Sequence, residues 1–132
     1  QMENARKLAI ALQKNKHVFK VNHPSLPDYP QKALVEKLFT DIGVTPMLSF
    51  ILHEDTERID QFMQKLHFAK YAPTLGGIRT TMSHPVTSSH PNVPDSVRRK
   101  MGITPGMIRI STGVENAEDL INDFEAALKI YD

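Results

Sequence analysis

The sequence predicts an α+β fold: a two-layer sandwich in which helices pack on a mainly antiparallel sheet. Three observations lead there. Segments with helical periodicity outnumber the well-patterned strands, each helical segment keeps its apolar residues on one face, and two stretches with three prolines each interrupt the order. Helices with a single apolar stripe need a partner layer, and a small sheet is the economical one. The 132 residues predict one domain, 1–132. Size scaling gives roughly 7,000 Å² of folded surface against about 21,600 Å² unfolded, enough for one real core.

The first helix runs to about Lys14, with Met2, Ala5, Leu8, Ala9 and Leu12 at three- and four-residue steps. No capping residue and no initiator methionine precede it, so the start reads like a cut through a longer protein. Alternation over 17–22 predicts a strand, and three prolines make 23–30 irregular. Pro30 opens a second helix with the stripe Leu34, Val35, Leu38, Phe39 and Ile42, and Gly43 stops it. The apolar run 47–52 is a buried central strand. Asp55 or Thr56 caps a third helix whose face is Ile59, Phe62, Met63 and Leu66.

Residues 68–72 form a short strand, 74–77 a turn and 78–83 a further extended piece. Three prolines bar regular structure from 84–94, after which a short helix spans 94–101 and ends at Gly102. In the strand 107–112, Ile108, Ile110 and Thr112 point one way and Met107, Arg109 and Ser111 the other. Asn116 caps the last helix, with Glu118 and Asp119 well placed against its dipole. Its stripe is Leu120, Ile121, Phe124, Ala127, Leu128 and Tyr131.

Composition excludes several function classes. Net charge is +1, and the longest basic run, Arg98-Arg99-Lys100, is a solvated helix face, so no nucleic-acid partner is expected. The absence of cysteine rules out disulfides, thiolate metal sites and a cysteine nucleophile, and agrees with a cytoplasmic location. No apolar run approaches the roughly 20 residues of a membrane span, and no signal-peptide pattern opens the chain.

The six histidines form no helical His-x-x-x-His pair and read as loop and surface residues rather than metal ligands. Gly76-Gly77 lacks the spacing of a phosphate loop and reads as a tight turn. Glu54, Asp55 and Glu57 sit where a helix begins and read as capping residues. Arg109 stands apart because it lies mid-strand between Ile108 and Ile110, where a charge must find an anion. A structural salt bridge is the usual answer; bidentate binding of a ligand carboxylate is the minority one.

Several segments, taken together and in order, resemble the cystathionine gamma-synthase (transsulfuration) family of pyridoxal-phosphate enzymes. They are His23-Pro24-Ser25-Leu26-Pro27 with Asp28-Tyr29-Pro30-Gln31, Met47-Leu48-Ser49-Phe50, and Thr74-Leu75-Gly76-Gly77. Ser83-His84-Pro85 with Ser89-His90, the run from Met101 through Ser111, and Glu115-Asn116-Ala117-Glu118-Asp119-Leu120-Ile121 complete the match. The family includes cystathionine gamma-synthases, cystathionine beta- and gamma-lyases, methionine gamma-lyases and O-acetylhomoserine sulfhydrylases.

The resemblance implies the small C-terminal domain of a longer enzyme whose large domain holds the cofactor and its lysine. It implies that Arg109 binds the carboxylate of the amino-acid substrate, that Thr74 and Leu75 lie beside that carboxylate, and that Ser89 supports their turn. Partners would be the large cofactor-binding domain and the substrate, in a homotetramer at full length, with no pyridoxal phosphate expected on this chain alone. The chain departs from the family at Thr74, where serine is usual, and at Arg79, where many members carry glutamate implicated in substrate choice. The residues alone leave two other readings: a non-catalytic binding module for a small carboxylate or a protein partner, and an oligomerisation domain.

Overall fold

The computed structural model describes residues 1–39 and 44–132. The helices are α1 (Met2–Lys14), α2 (Lys32–Leu38), α3 (Thr56–Lys65), α4 (Pro85–Ser88), α5 (Asp95–Lys100) and α6 (Ala117–Leu128), the last continued by a 3-10 turn. The strands are β1 (Lys20–Asn22), β2 (Met47–Ile51), β3 (Lys70–Tyr71), β4 (Thr81–Ser83) and β5 (Met107–Ser111). They form one sheet in the order β1-β2-β5-β4-β3. Every pairing is antiparallel except β3 with β4. The architecture is the expected α+β sandwich.

The core lies under one face of the sheet. Val21, Leu48, Phe50, Met82, Ile108 and Ile110 point into it, and α1 adds Ala5, Leu8, Ala9 and Leu12. From α3 come Ile59 and Phe62, and from α6 Phe124, Ala127 and Leu128. Phe50, Phe62 and Phe124 meet at centroid distances of 6.0, 6.2 and 6.1 Å, two of the three pairs edge-on. That arrangement sets the positive rim of one ring against the negative face of the next.

Two expectations fail. The second helix carries a single buried residue, Val35, while Leu34, Leu38 and Phe39 are exposed; Ile42 and Gly43 lie outside the described residues. The sheet is covered by α1, α3 and α6, not α2, because a seven-residue helix beyond a proline-rich loop lies off the core. The stretch 84–94 is not wholly irregular, since α4 occupies part of it with Pro85 at its first turn. There the missing N–H costs nothing, because the first turn's donors have no helical partner. No described helix is long and apolar enough to cross a membrane.

Candidate functional site

On the face opposite the core, the sheet carries a polar row at its centre. Strand register sets Asn22, Ser49, Arg109 and Ser83 side by side across β1, β2, β5 and β4. Alternation explains this row. Ile108 and Ile110 enter the core, so the side chain between them must emerge on the opposite face. The neighbouring row on the same face is Met47, Ser111 and Thr81.

A loop closes one side of this face. Strands β3 and β4 run parallel, so the connection 72–80 must travel back along them before β4 begins. On that return it makes the turn 74–77, where Gly76 takes φ +76°, a conformation that glycine adopts without a Cβ clash. The Gly76 N–H donates to Ser111 Oγ at 3.1 Å, and Thr81 Oγ1 donates to the Thr74 carbonyl at 3.2 Å. The far arm of the loop is held by Glu115, which accepts from Thr80 N at 2.6 Å and Thr80 Oγ1 at 2.8 Å. Gly113 donates to that same Thr80 hydroxyl at 2.9 Å. A Cβ at Gly113 would collide with the Ile78 carbonyl, so only glycine permits this close approach.

Arg109 is half-buried, and its Nη2 donates weakly to the Thr74 carbonyl at 3.5 Å. Among the described residues it makes no ion pair, although every other arginine except Arg79 does. The sequence expectation of a structural salt bridge at Arg109 is therefore not met. Thr74, Leu75 and Arg79 are exposed. Ser89 is not brought to the turn by any hydrogen bond. Its hydroxyl bonds the Pro85 carbonyl at 3.4 Å and His90 Nδ1 at 2.7 Å, and Ser111 and Thr81 hold the turn instead.

Beside the row, His23 is 1% exposed. Its Nε2 donates to the Thr45 carbonyl at 3.1 Å, and its Nδ1 accepts from Ser25 N at 3.2 Å, which fixes a neutral imidazole. Burial pulls its pKa below the usual histidine value, partly opposed by the Thr45 carbonyl. Sequence reasoning missed the roles of Glu115, Ser111 and His23. Only the polarity of Ser111 in a strand with three apolar residues hinted at any of them.

The guanidinium of Arg109 could hold a planar anion such as a carboxylate. No lysine is buried, and among the described residues no three histidine, aspartate or glutamate side chains gather around a metal-sized space. The exposed guanidinium offers two parallel donors, the geometry that a planar carboxylate accepts.

Comparison with known proteins agrees in outline. Residues 1–129 match the family described as Cys/Met metabolism PLP-dependent enzyme. A cystathionine beta-lyase of Bacillus subtilis is 38% identical over 127 residues, covering 96% of this chain and 32% of that protein. A Bos taurus cystathionine gamma-lyase is 35% identical, covering 96% and 31%. A crystal structure of a putative O-acetylhomoserine (thiol)-lyase from Campylobacter jejuni, holding N'-pyridoxyl-lysine-5'-monophosphate, superposes with a TM-score of 0.90. It is 30% identical to this chain over 97% of the chain and 30% of that structure. The chain thus spans about a third of the length of these relatives.

Proposed function

The chain belongs to the family of Cys/Met metabolism PLP-dependent enzymes, and from that premise we propose that it is the substrate-carboxylate-binding part of a transsulfuration enzyme. The enzyme acts on sulfur-containing or O-acylated amino acids, as cystathionine lyases, methionine gamma-lyases and O-acetylhomoserine sulfhydrylases do. Its partner is a large cofactor-binding domain of the same protein, assembled into a homotetramer in the cytoplasm, and the 132-residue chain alone is inactive. The observation that carries the reading is Arg109: a guanidinium with no carboxylate partner among the described residues, on the sheet face opposite the core, reaching the turn 74–77.

Pyridoxal phosphate, when bound, supplies an electron sink for bonds at the substrate's α carbon. This chain's residues do the positioning. Arg109 grips the α-carboxylate with two parallel hydrogen bonds, and because it stands on a central strand its reach is fixed by the sheet. The turn of Thr74 and Leu75 walls the carboxylate on one side, with its own shape fixed through Ser111 and Thr81. Arg79, exposed two residues after the glycine pair, is assigned to selecting the substrate's distal end.

In the full-length protein, Arg109→Ala should lower kcat/KM by an amount equivalent to roughly 2–5 kcal/mol. Arg109→Lys should not restore it, because a point charge cannot reproduce the planar fork. Steady-state kinetics on cystathionine and O-acetylhomoserine provide the measurement. Wild-type kcat/KM in Arg109→Ala would refute the reading.

A further inference from the structure

The row that contains Arg109 holds a second group whose function the carboxylate grip leaves open. Asn22, Ser49, Arg109 and Ser83 are consecutive neighbours across four strands. Directly opposite positions bring Cβ atoms to about 4.5–5.5 Å, so the Ser49 side chain is an immediate neighbour of the Arg109 stem. Ser49 is half-buried and the next residue in its row is Asn22, whose Nδ2 donates to Ser49 Oγ at 3.1 Å.

That bond settles the direction of the hydroxyl hydrogen. A serine oxygen that accepts from one side must send its own proton elsewhere. Among the described residues no acceptor takes the Ser49 proton. The neighbour on its other side, Arg109, is all donor and cannot accept. A polar hydrogen beside the Arg109 stem, with its oxygen pinned from behind, is suited to an anion that the guanidinium also reaches.

We propose that Ser49, oriented by Asn22, is a second hydrogen-bond donor to the carboxylate that Arg109 binds, a role that rests on the Arg109 reading above. One carboxylate oxygen then takes the Ser49 hydroxyl in addition to the guanidinium. The plane of the carboxylate is thereby set relative to the sheet, and not just its position. Ser49 contacts the ligand directly, whereas Asn22 is a positioning residue that acts through it.

The test uses the full-length protein and two readouts. Calorimetric titration measures the binding of norleucine, which lacks a leaving group, with norleucinamide as the control that has no carboxylate. Steady-state kinetics on cystathionine provide KM and kcat. A hydrogen bond to a charged group predicts that Ser49→Ala weakens norleucine binding and raises KM by about 10-fold or more, leaving norleucinamide binding unchanged. Ser49→Thr keeps the hydroxyl and should restore most of the loss, and Asn22→Ala should give a smaller loss of the same kind. In an Arg109→Lys background, Ser49→Ala should cost less than it does alone, since the two act on one carboxylate. If Arg109→Lys weakens norleucine binding while Ser49→Ala does not, this proposal fails and the Arg109 reading stands. If neither variant affects norleucine binding, the Arg109 reading itself has failed. An equal loss for norleucine and norleucinamide in Ser49→Ala would show a structural effect and overturn the proposal.

Discussion

Asp123 illustrates how much a single buried carboxylate can organise. It is 7% exposed on α6, and its Oδ2 accepts from His67 N at 2.9 Å and Phe68 N at 3.0 Å, tying the end of α3 to the last helix. Asp123→Ala strands those two donors, and an unpaired buried N–H costs about 1–3 kcal/mol. The expected loss of unfolding free energy is about 2–4 kcal/mol, read from urea denaturation, with Asp123→Asn losing less because its amide oxygen still accepts. His23 makes a pH-dependent contribution. Its folded pKa is lowered by burial, so the unfolded chain binds the proton more readily. The stabilisation is complete above the unfolded value of about 6.5 and declines as pH falls from there toward the folded value. Denaturation midpoints at pH 7.5 and 5.5 should differ more for the native protein than for His23→Gln. Neither residue was legible in the sequence, because their partners lie 56 and 22 positions away. Arg109 was legible as an anomaly, since a charge between two isoleucines contradicts its surroundings.

Among the elements, α6 was the clearest in advance. Its cap is Asn116, whose Oδ1 accepts from Glu118 N at 2.8 Å and Asp119 N at 3.3 Å. Removing that cap in Asn116→Ala should cost about 1 kcal/mol, measurable as a lower denaturation midpoint. The α6 stripe was readable because periodicity and burial coincide there. In α2 they part company: Leu34 and Leu38 follow the helical period yet remain exposed. Periodicity says which face is apolar and says nothing of whether another element reaches it. The helical turn α4 was hidden by a count of prolines that ignored where each one falls. The parallel pairing of β3 with β4 was also hidden, because strands of two and three residues carry no directional signal. That pairing nonetheless matters most to the site, since it sends the connection 72–80 back along the sheet. Gly113→Ala should loosen the same loop from below and lower the melting temperature, because the new methyl meets the Ile78 carbonyl.

At the scale of the whole molecule, the accessible surface is 7642 Å², somewhat above the roughly 7,000 Å² that size alone predicts. Large apolar side chains contribute to it, among them Leu38, Leu75, Ile78 and Met101. The 132-residue chain mixed with pyridoxal phosphate should yield no stoichiometric adduct on a single lysine after borohydride reduction, as read by mass spectrometry. Trapping at one lysine would contradict the assignment of cofactor binding to another domain. The strand order has a further consequence, for synthesis on the ribosome. The central strand of the sheet, β5, is also the last of the five to be made. Until residue 111 has left the exit tunnel, the nascent chain holds two separate pairs of strands, β1 with β2 and β3 with β4, each with an open edge. Such edges are where nascent chains pair wrongly, so the interval before β5 emerges is when a chaperone matters most. A chain halted at residue 104 should show no cooperative unfolding and should precipitate. One halted after α6 should do neither.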